Sequence, residues 1–247
     1  MPKLSAVIIT RNEERDIGRT LDAIAFADDI LIVDSESTDR TVEVCRAKGA
    51  RVVQRPLDGF GPQKRFAVSQ AQHDWVFCID ADEIVSPELA RAIVALLSSE
   101  PARAAYRMRY LTVFMGRRMT RGAKELRTRL FDRRQAGWTD AAVHEQVVCD
   151  VPVGMLPGFV LHETTHDLSE AIAKLNDYST RAALSMRGNG RRHSAAGLAL
   201  RGGFHFFRHW IIERQVLNGI PGLAWSVLFA TGSMIKYLKA IELEQER

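Results

Sequence analysis

The hydrophobic positions of the first hundred residues follow two different spacings. Short apolar runs predict buried strands, whereas apolar residues three or four positions apart predict helices. The strands are predicted at residues 4–10, 30–34, 51–54 and 75–79, and the helices at residues 17–25, 40–48, 62–70 and 87–97. Strands and helices that alternate in this order are typical of a parallel sheet with crossover helices.

The pattern changes after residue 100. Strand-like stretches at residues 106–114 and 126–131 have no helix between them, which predicts a mixed extension of the sheet. From residue 168 onward the spacing is helical, at residues 168–186, 195–217 and 223–243. We therefore expect an α/β fold, a mostly parallel sheet flanked by helices with a helical C-terminal extension. We divide it into residues 1–100, 101–165 and 166–247.

Composition excludes several classes of protein. The 247 residues are 46% hydrophobic and 26% charged, which excludes a disordered or collagen-like chain. Cys45, Cys78 and Cys149 lack the paired spacing of a structural zinc site, so we expect reduced cysteines in a cytosolic protein. Met1 leads almost directly into the first predicted strand and a charged loop, unlike a secretion signal.

The formal net charge of +4 is distributed unevenly. Residues 1–100 carry 12 basic and 17 acidic side chains, residues 101–134 carry 11 and 2, and residues 135–247 carry 11 of each. An anionic partner is therefore expected at the basic segment, although a solvated sheet face is an alternative. Nucleic acid is not expected as this partner. Those arginines include Arg107, Arg109, Arg117, Arg118, Arg121, Arg127 and Arg129.

Polar, acid-rich residues follow three of the predicted strands, at 10–14, 34–39 and 80–83. Ligands of open parallel sheets bind at the carboxyl ends of the strands. Asp80 and Asp82 offer the hard oxygen ligands that suit magnesium or manganese, with coordination positions left for a diphosphate, although such a pair also occurs as solvated loop charge. No glycine-rich phosphate loop follows the first strand, which disfavours dinucleotide oxidoreductases and P-loop kinases.

Three strings together carry a family resemblance: VIITRNEERDIGRTLDAI, ILIVDSESTDRTVEV and GFGPQKRFAVSQAQHDWVFCIDADE. They closely resemble glycosyltransferase family 2, whose members are inverting enzymes with the Rossmann-like GT-A fold. Within that family the chain is most similar to the lipopolysaccharide-core β-1,4-glucosyltransferase group. The resemblance is strong over residues 4–100 and looser through Val143-His144-Glu145 and the C-terminal helices.

The resemblance implies a hexosyltransferase that moves a sugar, glucose from UDP-glucose, to a lipopolysaccharide inner-core or other anionic lipid-linked acceptor. Another donor such as ADP-heptose, a polyprenyl-lipid acceptor, and a non-catalytic sugar-nucleotide-binding protein are the alternatives. The implied cofactor is Mg²⁺ or Mn²⁺, with Asp82 as principal ligand, Asp80 near the ribose and metal, and His162 as a candidate third ligand. The implied nucleotide-sugar site comprises Thr10, Asn12, Glu13, Asp34, which meets the base, and Lys64, which faces the donor.

An inverting transfer needs a base that takes the proton of the attacking acceptor hydroxyl. Glu145 is favoured because Val143-His144-Glu145 matches the pattern of the group. Asp140 is the runner-up, and Glu163 is a third candidate.

The C-terminal region contains an uncharged stretch, residues 215–235, which Asn218, Gly219, Pro221 and Gly222 interrupt. A membrane-spanning helix needs about 20 mostly apolar residues, so this stretch is not expected to span a bilayer. The preceding aromatic residues are mixed with arginines, which is typical of an interfacial helix. We expect a cytoplasmic, peripheral protein whose helix-turn-helix lies on the inner face of the cell membrane. A helical pair packed on the catalytic domain or on a second subunit, as in a homodimer, is the alternative.

Overall fold

The computed structural model describes residues 1–119, 124–139, 146–186 and 194–245. The chain divides into two compact units. Unit 1 comprises Met1–Tyr110 and Glu125–His162, and unit 2 comprises Leu111–Lys124 and Glu163–Arg247.

Unit 1 contains the alternating strands and helices predicted for the first hundred residues. They are β1 (Leu4–Thr10), α1 (Ile17–Ala23), β2 (Asp29–Asp34), α2 (Thr41–Ala47), β3 (Arg51–Gln54), α3 (Phe60–Ser69), β4 (Trp75–Cys78), β5 (Glu83–Val85) and α4 (Pro87–Leu97). The side chain of Ser86 accepts the N–H of Leu89 and caps α4, and Pro87 stands where a missing N–H costs nothing.

The remaining strands are β6 (Ala105–Phe114), β7 (Arg117–Arg118), β8 (Lys124–Asp132), β9 (Ala136–Trp138), β10 (Val147–Cys149) and β11 (Gly154–Thr165). The main sheet has the order β3-β2-β1-β4-β8-β6-β11-β5, with β7 paired to β6. Strands β1 to β4 are parallel, whereas β8 pairs antiparallel with β4 and β11 antiparallel with β5. The α/β fold with a mixed extension of the sheet is confirmed.

Apolar side chains cover both faces of this sheet in unit 1. One core cluster includes Ile8, Phe77, Leu89 and Met108, and a second includes Val7, Val76 and Phe131. Val7 and Ile8, neighbours on β1, belong to different clusters because successive side chains of a strand point to opposite faces. A strand buried on both faces therefore appears as a continuous apolar run, as the sequence of β1 does.

Unit 2 contains the long helices α5 (Leu168–Met186), α6 (Ala195–Phe207) and α7 (Gly219–Gln245). Helix α5 has the predicted bounds. The helix predicted at residues 195–217 instead ends at Phe207, continues as a π-helical turn (Arg208–Ile212) and gives way to a 3₁₀ turn (Gln215–Asn218). Arg214 between the two turns is left-handed, with φ of 57°, which ends the regular helix.

Helix α7 begins four residues earlier than predicted. Gly219, Pro221 and Gly222, which were expected to precede the helix, lie in its first turn. Proline is tolerated there, since the first N–H groups of a helix have no intrahelical acceptor. None of the described helices combines the length and the apolar content needed to cross a membrane.

Candidate functional site

The loops that follow β1, β2 and β4 lie side by side at one edge of the sheet in unit 1. Strand β1 lies between β2 and β4, and Thr10 stands opposite Asp34 in the parallel register. The acid-rich segments predicted from the sequence are therefore neighbours at the carboxyl edge.

The loops after β1 and β2 hold each other through side-chain to backbone hydrogen bonds. Asn12, at a left-handed φ of 56°, donates its N–H to Ser37 Oγ at 2.9 Å and accepts the N–H of Thr38 at 2.8 Å. Asp34 is fully buried and accepts the N–H of Ser37 at 3.0 Å. Asn12 and Asp34 thus fix the shape of this rim.

Two other residues of the rim differ in their hydrogen bonding. Glu13 is held by its backbone, whose N–H donates to Thr41 Oγ1 at 2.8 Å. The hydroxyl of Thr10 is buried and has no hydrogen-bond partner among the described residues. A buried polar group without a partner costs free energy, so this hydroxyl is a candidate hydrogen-bond partner for a ligand.

Asp80, just beyond β4, is held between two cations. Its carboxylate oxygens lie 3.1 Å from Lys64 Nζ and 3.2 Å from Arg129 Nη2. Lys64 and Arg129 are both buried. Burial raises the pKa of Asp80, but the charges of Lys64 and Arg129 outweigh it and hold this pKa below its ordinary 3.8. Asp80 is therefore an ionised carboxylate whose charge is already compensated.

Aromatic rings surround the two cations. Lys64 Nζ lies 4.8 Å from the centre of the Trp138 ring, and the Arg129 guanidinium lies 5.0 Å from that ring and 5.8 Å from the Tyr110 ring. Trp138 is fixed in turn by the hydrogen bond from its indole N–H to Cys78 Sγ. Cation–π contacts of this kind strengthen when they are desolvated, so the two rings help to hold Lys64 and Arg129 in position.

Glu83 organises the turn that begins at Asp80. Its carboxylate is fully buried and accepts the N–H of Asp80 at 3.0 Å and the hydroxyl of Tyr110 at 3.1 Å, and it lies 3.4 Å from Arg127 Nη1. Burial and the charge of Asp80 raise the pKa of Glu83. The hydroxyl of Thr20 donates to the carbonyl of Ala81 at 2.6 Å and holds the same turn.

Asp82 lies 3.3 Å from His162, measured from carboxylate Oδ2 to ring Nε2. The two residues are 80 positions apart, and the pairing of β11 with β5 brings them together, with His162 opposite Glu83. Burial lowers the pKa of His162, but the hydrogen bond and charge of Asp82 outweigh it, so this pKa lies above its ordinary 6.5.

The predicted metal ligands thus fall into a pair and a third residue. Adjacent ligand atoms of an octahedral ion at about 2.1 Å lie about 3 Å apart, so the 3.3 Å separation of Asp82 and His162 fits a shared cation. Carboxylate oxygen and imidazole nitrogen also suit manganese. Asp80, the third residue, faces Lys64 and Arg129.

The candidate bases Asp140 and Glu145 lie outside the described residues, as do Val143 and His144. Glu163 lies on β11, in unit 2.

The described arginines of the basic segment fall into a buried or half-buried group and an exposed group. Arg129 is buried against Asp80, and Arg127 pairs with Glu83 and with Glu125 at 2.7 Å. The charges of these two arginines compensate carboxylates of unit 1, and the expectation that they bind an external anion stays a prediction. Arg121 lies outside the described residues. The remaining arginines are exposed, namely Arg107 and Arg109 on β6 and Arg117 and Arg118 on β7.

Sequence reasoning missed Glu83, Tyr110 and Trp138 as members of this site. The signal for Glu83 is its position within the acidic run after β4, directly before the apolar Ile84 and Val85. No local pattern marks Tyr110 and Trp138, because their partners lie far away in the sequence.

Comparisons with known proteins agree with the resemblance. The profile of the family described as "Glycosyl transferase family 2" matches residues 5–149. An uncharacterized glycosyltransferase of Rickettsia typhi is 31% identical over 98% of this chain and 88% of its own length. The lipopolysaccharide core biosynthesis glycosyltransferase LpsC of Rhizobium meliloti is 30% identical over 99% of this chain and 94% of its own length.

Among solved structures, one similar protein is glucosyl-3-phosphoglycerate synthase of Mycobacterium tuberculosis, in a complex with Mn²⁺, UDP-glucose and phosphoglyceric acid. It is 28% identical with a TM-score of 0.39, and the match covers 44% of each chain. The profile match over more than half of the chain and the relatives that span nearly all of it lead to one conclusion: this protein is an enzyme of glycosyltransferase family 2.

Proposed function

We propose that this protein is an inverting, divalent-metal-dependent glycosyltransferase that moves a hexose, glucose from UDP-glucose, to a lipopolysaccharide inner-core or other anionic lipid-linked acceptor. One observation carries the proposal. Asp82 and His162 stand at ligand spacing beside a carboxylate that two buried cations hold, at the carboxyl edge of a family 2 domain.

The donor is assigned to the rim of β1 and β2. Asp34 meets the base, and Thr10, Asn12 and Glu13 line the nucleotide. The buried hydroxyl of Thr10 supports this assignment, because a nucleotide oxygen or N–H would give it the partner that it lacks among the described residues.

The diphosphate is assigned to the edge after β4. Asp82 and His162 would hold Mg²⁺ or Mn²⁺, with Asp80 near the ribose and metal. The ion would neutralise charge on the departing diphosphate. Lys64 and Arg129 present positive charge at the same place, and such preorganised charge stabilises a leaving group without reorganisation. Lys64 is the one assigned to face the donor.

The acceptor hydroxyl requires a base, and we assign Glu145 to that role with Asp140 as the alternative. The base accepts the hydroxyl proton while the oxygen attacks the anomeric carbon opposite the leaving diphosphate, which inverts that carbon.

The acceptor class rests on the relative LpsC, a lipopolysaccharide core biosynthesis glycosyltransferase. The exposed arginines Arg107, Arg109, Arg117 and Arg118 support an anionic acceptor, because guanidinium groups bind phosphates in bidentate fashion. A lipid-linked acceptor would place the protein at the inner face of the cell membrane. A homodimer is compatible with this assignment.

The test is Mn²⁺-dependent release of UDP from UDP-glucose, with and without lipopolysaccharide core acceptor. Glu145→Gln should lower turnover by about 100-fold or more while donor affinity stays unchanged. Full activity in Glu145→Gln together with an inactive Asp140→Asn would move the base to Asp140. Donor binding without turnover in the wild type would identify a sugar-nucleotide-binding protein, and turnover of ADP-heptose alone would change the donor.

A further inference from the structure

The end of unit 2 where α6 passes into α7 exposes apolar side chains in unusual density. We call residues 208–220 the elbow. Nearly half of the exposed large apolar side chains of the described residues lie within residues 200–229. Clustered exposure of this kind marks an interaction surface.

The exposed large apolar side chains of α6 and of the π-helical turn that continues it form one strip that leads into the elbow. Leu200, Phe204, Phe207 and Ile211 are spaced by four, three and four residues, so they lie on one side of the helix. Within the elbow, Ile212, Val216, Leu217 and Ile220 follow, with 61%, 42%, 62% and 73% of their surfaces exposed. The strip therefore ends in a cluster of four aliphatic side chains at the turn of a helical hairpin.

The elbow is a fixed structure. Arg214 and Gly219 both have left-handed backbones, at φ of 57° and 63°, and enclose the 3₁₀ turn. The Gln215 side chain is fully buried and accepts a hydrogen bond from Asn218 Nδ2 at 2.6 Å. A Cβ at Gly222 would lie 1.9 Å from the Gln215 carbonyl, so the elbow packs directly on the backbone of α7. The aliphatic side chains are thus held outward by a rigid turn.

Positive charge borders the apolar strip. Residues 194–237 contain four basic side chains, Arg201, Arg208, Arg214 and Lys236, and one acidic side chain, Glu213. Glu213 is already compensated, at 3.0 Å from Arg208 and 2.7 Å from His209. Arg201 lies next to Leu200 in the sequence, and Arg214 lies within the elbow. The surface therefore offers apolar insertion and cationic contact together.

The apolar strip and the positive charge beside it distinguish between three possible partners, namely a second copy of this chain, a neutral protein groove and an anionic bilayer. A two-fold dimer pairs a surface with a copy of itself, so it would double the positive charge at the interface and add no unpaired carboxylate from this segment. A neutral protein groove would offer the charges of Arg201 and Arg214 no anionic partner. The boundary layer of an anionic bilayer matches both features, because amphipathic helices with aromatic and aliphatic residues on one face and basic residues beside them bind there.

We propose that the elbow inserts at the boundary between the headgroups and the acyl chains of an anionic lipid bilayer, with Ile212, Val216, Leu217 and Ile220 against the upper acyl chain carbons and Arg201 and Arg214 on lipid phosphates. The inference rests on the proposed function for the presence of a lipid-linked acceptor in the same membrane. It goes beyond that function because it names the surface that binds the membrane, the side chains that insert and the charge of the lipid.

The test is co-sedimentation of the full-length protein with vesicles. The wild type should bind vesicles of phosphatidylglycerol and phosphatidylcholine, and should bind pure phosphatidylcholine far more weakly. Leu217→Ser with Ile220→Ser should weaken binding about 100-fold. Arg201→Gln with Arg214→Gln should weaken binding about 30-fold, only with the anionic vesicles. The control is Leu184→Ser with Leu238→Ser, two leucines of α5 and α7 that are 50% and 51% exposed, and it should bind like the wild type.

Circular dichroism and Mn²⁺-dependent UDP-glucose affinity of each variant separate this inference from the proposed function. Folded elbow variants that keep donor affinity and lose vesicle binding support it. Donor affinity absent from every variant while vesicle binding follows the predicted order would overturn only the proposed function. Equal vesicle binding by the elbow and control variants would overturn the inference. So would a stable wild-type dimer that binds no vesicles and dissociates in the elbow variants.

Discussion

Arg129→Met tests the ion-pair cluster of Asp80, Lys64 and Arg129 directly, because it removes one charge and keeps the volume of the side chain nearly unchanged. Arg129 is 5% exposed, with Nη2 at 3.2 Å from Asp80 and Nε at 3.3 Å from the Tyr110 hydroxyl. The substitution would leave Asp80 with Lys64 as its cation.

The expected cost follows from this geometry. Removing one partner of a fully buried ion pair costs about 3–5 kcal/mol. The side chain of Asp80 is 27% exposed and keeps Lys64 at 3.1 Å, so we expect a smaller loss, about 2–3 kcal/mol. For a chain of this size each kcal/mol lowers the melting temperature by about 2–4 °C, which predicts a decrease of about 5–10 °C.

The assay is a double-mutant cycle of Arg129→Met and Asp80→Asn, followed by urea unfolding at pH 7. The double variant should be destabilised by about 2 kcal/mol less than the sum of the single variants, because it leaves no uncompensated carboxylate. Arg129→Lys should recover part of the loss, since it restores the charge without the planar contacts to the rings. An Arg129→Met cost below about 0.5 kcal/mol, or additivity in the cycle, would refute the reasoning.

Three further changes have definite expected results. Burial raises the pKa of Asp29, but Arg51, 2.7 Å away, and other hydrogen bonds lower it below 3.8. Asp29→Asn should therefore cost about 2 kcal/mol at pH 7, and the difference from wild type in urea titrations should shrink as pH falls below 3.8. Gly158→Ala should cost about 2–4 kcal/mol in the same titrations, because its φ is +86° and its Cβ would lie 2.5 Å from the Leu89 nitrogen. Asp82→Ala should weaken Mn²⁺ binding at least about tenfold in calorimetry.

Most of unit 1 follows from its sequence because its elements have strong local signals. The continuous apolar runs of β1 and β2 and the cap of α4 fix those elements without reference to distant residues. Strand β11 went unpredicted because Pro157 and Gly158 interrupt its alternation. The turn between the last two helices begins earlier than predicted, because the left-handed Arg214 has no local sequence signature and tertiary packing fixes its place.

The site was predictable to the extent that its residues follow strands. Asp34, Asp80 and Asp82 are found from the rule that ligands bind at the carboxyl edge. The contact of Asp82 with His162 depends on the pairing of β5 with β11, which the periodicity does not reveal. The contact of Arg129 with Asp80 is likewise not predicted, because the two residues are 49 positions apart in the sequence.

Calorimetric titration of UDP-glucose into the protein, with and without Mn²⁺, tests the central claim most directly. A metal held by Asp82 and His162 at the donor diphosphate predicts tight binding only with Mn²⁺, with this dependence lost in Asp82→Ala and in His162→Ala. Equal affinity with and without Mn²⁺, or an unchanged metal dependence in both variants, would contradict the account.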